Sequence, residues 1–220
     1  MKGKFVIYSG GSRYINKSLD TVLIGLCGQN KSISYIPVTH DQDPVYYQEF
    51  KKYYQHYGVN KFCYFALDRQ YSQKHWDKAF SSSVIYLDGG NTYHFLQNIL
   101  ESGLSKHLKH FIKKGGIIAG QSAGVINLTP NILTAAIPTL DADDAILGFK
   151  KTKSLGILPF EFSPHFSGDK QSIEELKQYS KKTTNEILAC DDGSGVIIVD
   201  DKITYVGKVF CFQNGIFSKK

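Results

Sequence analysis

The sequence predicts an α/β fold: a doubly wound, mostly parallel sheet with an antiparallel extension at its C-terminal end, in one domain over residues 1–220. Three observations predict it. Short apolar runs alternate with segments of helical periodicity from Phe5 to Ala119. Two of those runs end in glycine-containing turns that open helices, at Gly89-Gly90 and at Gly120. After residue 186 the helical pattern stops and strand-like runs follow one another.

Element by element, Phe5-Val6-Ile7-Tyr8 is a first strand, ending at Ser9-Gly10-Gly11. Leu19, Val22, Leu23 and Leu26 mark a helix over about Lys17 to Leu26. Ile33 to Val38 is the second strand, and a tyrosine-rich helix follows from Pro44 to Tyr57. Phe62 to Leu67 and Val84 to Leu87 are the third and fourth strands. Thr92 to Leu100 and Leu104 to Lys113 are helical, and Gly116 to Ala119 is the fifth strand. Residues 130–158 are irregular, carry Asp141, Asp143 and Asp144, and suit a loop over a site. Ile187 to Cys190 is a strand. Gly195 to Val199 and Ile203 to Val206 flank Asp200-Asp201-Lys202 as a hairpin, and Val209 to Phe212 adds a third antiparallel strand.

Composition narrows the function classes. Apolar residues are 42 % and charged residues 21 %, as in an ordinary globular protein. The net charge of +6 comes almost wholly from lysine; the arginines are Arg13 and Arg69. Arginine forks dominate base and phosphate recognition, and the lysines here are scattered, so no nucleic-acid partner is expected. No run reaches the about 18 apolar residues of a membrane span, so no membrane association is expected. Lys2 and Lys4 precede only a short apolar run, so no signal peptide is expected. Cys27, Cys63, Cys190 and Cys211 show no CxxC or metal spacing and fit a reducing, cytoplasmic compartment.

The chemistry centres on Gly120-Gln121-Ser122-Ala123-Gly124, a G-x-S-x-G turn between a strand and a helix. A serine there takes a strained backbone and points its hydroxyl out of the sheet, while small neighbours let strand and helix approach. The N–H of Ala123 is the natural oxyanion donor. The turn Leu87-Asp88-Gly89-Gly90-Asn91-Thr92 has the same strand-to-helix context; Gly90 is the second candidate donor, and Asn91 or Thr92 caps the helix. Neither a G-x-G-x-x-G nor a GK[ST] pattern is present, which argues against phosphate binding.

A serine nucleophile needs a base, and seven histidines compete. His56 and His75 read as surface or packing residues, and His94 as part of a helix. His107 and His110 have an i, i+3 spacing without HExxH or a third ligand, so no metal is expected. His40 follows a strand and stays open. His165 is the strongest candidate, in the proline-fixed loop Ser163-Pro164-His165-Phe166. The orienting acid is Asp191 or Asp192, both at a strand end before Gly193.

Taken together, Gly89-Gly90-Asn91-Thr92, the serine turn, Pro164-His165-Phe166 and an acid before Gly193 resemble the dipeptidase E (aspartyl dipeptidase) group of serine peptidases, family S51, whose larger relatives are the cyanophycinases. The resemblance spans residues 5 to 206. It implies a class I glutamine amidotransferase-like fold, a Ser122–His165–Asp192 triad, oxyanion donors at Gly90 and Ala123, and no metal or organic cofactor. It also implies a short peptide or amide as substrate; Asn91, Thr92, Gln121 and Lys170 are the candidate substrate-binding residues. The oligomeric expectation is a monomer or small homo-oligomer. One departure concerns specificity. The family places an arginine shortly after the histidine to hold an aspartyl side chain. Here that stretch reads Phe166-Ser167-Gly168-Asp169-Lys170-Gln171-Ser172: Lys170 lacks the planar fork and Asp169 would repel an acid.

Two other classes compete with this reading. An α/β-hydrolase-type esterase runs serine, acid, histidine, so it would need an acid such as Asp141 or Asp144 between Ser122 and His165. A catalytically inactive binding or sensing module would keep the fold and lose turnover.

Overall fold

The computed structural model describes residues 3–12, 14–40 and 44–220; Lys2 and Arg13, named above, lie outside the described residues. The chain begins with β1 (Lys4–Tyr8), α1 (Lys17–Leu26), β2 (Ser32–Ile36), α2 (Pro44–Gln55) and β3 (Lys61–Tyr64). It continues through α3 (Gln73–Ala79), β4 (Val84–Leu87), α4 (Thr92–Ser102), α5 (Leu104–Lys113), β5 (Ile117–Gln121) and the short α6 (Ala123–Ile126). The remaining elements are β6 (Glu161–Ser163), α7 (Lys170–Ser180), β7 (Ile187–Cys190), β8 (Gly195–Val199), β9 (Lys202–Val206), β10 (Val209–Gln213) and β11 (Ile216–Lys219).

Seven strands form one large sheet in the order β3-β2-β4-β5-β1-β8-β9. The five strands from β3 to β1 are parallel, β8 runs antiparallel to β1, and β9 antiparallel to β8. Side-chain alternation divides the core between its two faces. Val6 and Tyr8, Ile33 and Tyr35, and Val84 and Tyr86 pack with α1 and α2 residues such as Leu19, Leu23, Phe50 and Tyr54. Their alternates Phe5, Ile7, Ile36, Ile85 and Leu87 pack with Phe95, Ile99, Leu104, Leu108 and Phe111 of α4 and α5.

The C-terminal segment departs from expectation. The hairpin of β8 and β9 does extend the large sheet. Val209 to Phe212 does not join it. β10 pairs instead with β7 and β11, and β7 pairs with β6, making a second sheet of order β11-β10-β7-β6. The reason is burial on both faces. Leu188, Cys190, Val209 and Cys211 pack toward the large sheet's core, whereas Ile187, Ala189 and Phe212 pack with Phe166 and with Leu176 of α7. A strand apolar on both sides belongs in an internal layer.

The tyrosines of α2 have a specific partner. Asp20 of α1 is 1 % exposed. It accepts hydrogen bonds from the hydroxyls of Tyr8 (3.0 Å), Tyr53 (2.7 Å) and Tyr54 (2.6 Å). A buried carboxylate without such donors would cost several kcal/mol, about the stability of a small domain. Burial and the adjacent Asp20 charge raise the Tyr8 and Tyr54 hydroxyls well above the ordinary phenol range. Both therefore remain protonated donors.

Among the described residues, no helix is long and apolar enough to cross a membrane.

Candidate active site

Ser122 sits between β5 and α6 with φ 48° and ψ −115°. That positive φ is costly for a residue with a Cβ and survives only where surrounding packing enforces it. Two contacts enforce it here. The Ser122 N–H donates to the Tyr8 carbonyl at 3.3 Å. Gly124 lies so close to β4 that a Cβ would stand 2.3 Å from the Leu87 carbonyl oxygen, so only glycine lets α6 start here.

His165 and Asp192 arrive from the smaller sheet. Each lies two residues beyond the end of a strand, β6 and β7 respectively, and those strands are parallel neighbours. The ring of His165 bridges the two layers: Nε2 is 3.0 Å from Ser122 Oγ, and Nδ1 is 2.7 Å from Asp192 Oδ1. A carboxylate only accepts, so Nδ1 carries the proton and Nε2 is left to accept from the serine hydroxyl. Both groups are partly open, with the His165 and Asp192 side chains 33 % and 46 % exposed.

Asp191, the alternative acid, is turned elsewhere. It accepts from the Ser194 hydroxyl, and its Oδ2 lies 3.1 Å from Lys208 Nζ. The other histidines have other neighbours. His40 Nδ1 contacts Arg69 at 2.9 Å, His56 Nδ1 lies 2.7 Å from the Lys52 carbonyl, and His75 Nδ1 is 2.8 Å from Ser72 Oγ. His107 stacks on Trp76 at 4.1 Å, where burial lowers its pKa. Among the described residues, no group of three or more His, Cys, Asp or Glu is placed to hold a metal ion.

Two residues that sequence reasoning passed over support the histidine. Ser9 is fully buried; its Oγ accepts the His165 backbone N–H at 2.8 Å and donates to the Cys190 carbonyl at 2.7 Å. It thereby ties the end of β1 to the loops after β6 and β7. Gly10 lies directly beneath the ring: a Cβ there would meet His165 Cε1 at 2.1 Å and Asp192 Oδ1 at 2.6 Å. The Ser9-Gly10 turn after β1 was the available signal, because small residues at a strand end permit such an approach.

A cavity of about 290 Å³ opens beside Ser122. Gly90, Ser122, Ile126, Pro164 and His165 form one wall, and Thr134, Ala135, Ile137, Pro138, Asp141 and Asp143 the other. Residues 130–158 thus do border the site, through two short 3-10 turns at Leu133–Ala136 and Thr139–Asp141. The segment is tied down. Asn91 Nδ2 donates to the Asp144 carbonyl, the Thr92 N–H to Asp143 Oδ2, and Thr139 donates to Glu175 Oε2 through both its N–H and its hydroxyl.

The four candidate substrate-binding residues do not line this cavity. Asn91 caps α4, accepting the His94 N–H, and Thr92 is buried at the first position of that helix. Gln121 turns toward Tyr86, whose hydroxyl lies 3.4 Å from its Oε1. Lys170 is exposed at the start of α7. Asp169 is the N-cap of α7, accepting the Ser172 N–H and the hydroxyls of Ser167 and Ser172. Those bonds hold its carboxyl well below the usual range. The stretch that carries an arginine in the resembling family is spent here on starting a helix. Gly90, with φ +135°, does line the cavity, and Ala123 opens α6, where a first-turn N–H has no intrahelical acceptor.

Comparison with known proteins agrees with this architecture. The model of peptidase family S51 matches residues 5–206. The chain is 27 % identical over 209 residues to the uncharacterized peptidase YgaJ of Bacillus subtilis, covering 91 % of this chain and 85 % of that one. It is 33 % identical over 87 residues to peptidase E of Salmonella arizonae, a match covering 39 % of this chain and 35 % of that one. Among solved structures, a Listeria monocytogenes EGD-e protein carrying a peptidase E name superposes with a TM-score of 0.72 at 19 % identity, over 93 % of this chain and 98 % of that one. A peptidase from an acI-B1 Actinobacterium gives a TM-score of 0.68 at 14 % identity, over 100 % and 94 % of the two chains. At those identities the structural likeness is one of fold.

Proposed function

The chain belongs to peptidase family S51, and from that premise we propose that it is a serine-type hydrolase cleaving short peptides or related amides through an acyl-enzyme on Ser122. The observation that carries the reading is the continuous line from Asp192 Oδ1 through His165 to Ser122 Oγ, with links of 2.7 and 3.0 Å. In this reading Ser122 Oγ attacks the scissile carbonyl as His165 Nε2 takes its proton. The oxyanion is met by the N–H groups of Gly90 and Ala123. His165 returns the proton to the leaving amine as the C–N bond breaks. Water, deprotonated by the same nitrogen, then attacks the acyl ester and frees Ser122. Asp192 holds the productive tautomer and stabilises the transient imidazolium.

The fold would then be that of class I glutamine amidotransferase domains, and the protein a cytoplasmic monomer or small homo-oligomer. The described cysteines are all unpaired, in keeping with a reducing compartment. The esterase alternative gains no support, since Asp192, and neither Asp141 nor Asp144, is the acid hydrogen-bonded to the histidine.

The test is a dipeptide and aminoacyl-amide library, with wild type beside Ser122→Ala. Cleavage that disappears in the variant establishes the nucleophile. A folded wild type that cleaves nothing and leaves Ser122 unlabelled by fluorophosphonates would overturn the hydrolase reading in favour of a binding module.

A further inference from the structure

The cavity beside Ser122 has an uneven charge. Asp141 and Asp143 both line it, and no lysine or arginine does among the described residues. Neither carboxylate takes part in an ion pair among the described residues. Asp143 spends Oδ2 on the Thr92 N–H at 2.9 Å, and Asp141 is exposed at the cavity's edge. A second observation is independent of charge. Thr134 lines the same cavity and is 3 % exposed, yet its hydroxyl has no hydrogen-bond partner. A buried hydroxyl left unpaired is uncommon. Two carboxylates and a hydroxyl oxygen supply acceptors, which is what an ammonium with three donors requires.

We propose that this cavity recognises a positively charged amine on the acyl side of the scissile bond, and that it rejects aspartyl substrates. The proposal rests on the hydrolase reading for the orientation of the acyl group beside Ser122. The ammonium can be the substrate's α-amine or a lysyl side chain; the chemistry is shared and the experiment separates the two. An acidic acyl side chain would face two like charges, with no arginine among the described residues that line the cavity. The departure in the Phe166 to Ser172 stretch and the acidic wall from 130–158 therefore point the same way.

Binding to folded Ser122→Ala tests this without turnover. The ligands are lysinamide, leucinamide, N-acetyl-lysinamide and aspartic acid α-amide, titrated by calorimetry or NMR. Lysinamide should bind about tenfold or more tighter than the aspartic acid amide, the scale of two partly screened charges. Tight N-acetyl-lysinamide binding assigns the charge to the side chain, and its loss assigns it to the α-amine; either supports recognition of an ammonium. Adding Asp141→Asn and Asp143→Asn should erase the preference, and asparagine keeps the oxygen that accepts the Thr92 N–H. Equal or tighter binding of the aspartic acid amide, an unchanged preference in the Asn variant, or no binding of any of the four would overturn the proposal. Fluorophosphonate labelling of wild-type Ser122, run in parallel, reports separately on the hydrolase reading.

Discussion

Two carboxylates flank the end of β1 in opposite circumstances. Asp20 is 1 % exposed and receives three phenol hydroxyls. The Asp192 side chain is 46 % exposed and contacts one ring nitrogen of His165. Around Asp20 the backbone is ordinary helix and strand. Along the line from Asp192, His165 and then Ser122 both have positive φ, at 54° and 48°. The difference teaches what each arrangement is for. A saturated, dry network resists change and holds α1 and α2 against the sheet. An open and strained one keeps a proton acceptor and a hydroxyl available, at a cost in stability that the surrounding structure offsets.

That contrast can be broken from either side. The largest effect is expected at Ser122. Ser122→Ala should lower kcat at least about 10³-fold in a peptide-amide assay, and Ser122→Gly should be equally inactive yet more stable by about 1 kcal/mol in urea unfolding. An inactive variant with no gain in stability would mean that the positive φ stores no strain. Asp192→Asn should cost about 10³–10⁴-fold in kcat through the wrong histidine tautomer, with its unfolding midpoint nearly unchanged. Asp20→Ala should do the reverse, losing about 3 kcal/mol as three hydroxyls lose their acceptor, while kcat at 20 °C stays near wild type. Ser9→Ala is intermediate, because it leaves the His165 N–H unpaired. We expect kcat down about tenfold with little change in KM. A fall in stability alone would make Ser9 structural and not positioning. The smallest effect is expected from thiol reagents at pH 7. Burial pushes Cys27 and Cys211 up to about 11, so alkylation should be slow and activity retained.

The parallel half of the fold was legible because its strands end in turns and its helices carry a full apolar stripe. The smaller sheet was not. β6 has three residues, too few for a period, and α7 is largely polar outside Ile173 and Leu176. Its N-cap Asp169 reads in the sequence as a charge near substrate, although Asp is among the residues that N-cap helices best, and here it accepts the Ser172 N–H. Asn214-Gly215, with φ 53° and 80°, marks the β10–β11 turn and was the readable sign of a further hairpin. At the site, the positions of Ser122, His165 and an acid at 191–192 followed from motif and strand ends. Between Asp191 and Asp192, which are acids of one turn, the residues themselves gave no choice and the family resemblance pointed to Asp192; in the structure Asp192 lies 2.7 Å from His165 Nδ1, while Asp191 faces Ser194 and Lys208. The cavity wall came from an irregular segment whose contacts, such as Thr139 to Glu175, are long-range and leave no local pattern.

The division of the site between two layers has a consequence for the chain's own synthesis. Ser122 is presented by the large sheet, while His165 and Asp192 hang from β6 and β7, and β7 is completed only by pairing with β10 at Val209–Gln213. A chain made only as far as α6 contains the serine turn but neither His165 nor Asp192. The three side chains come together only when the segment through Gln213 has been made and the two layers have docked. In the proposed mechanism, the nucleophile is therefore made well before the base and acid that would activate it.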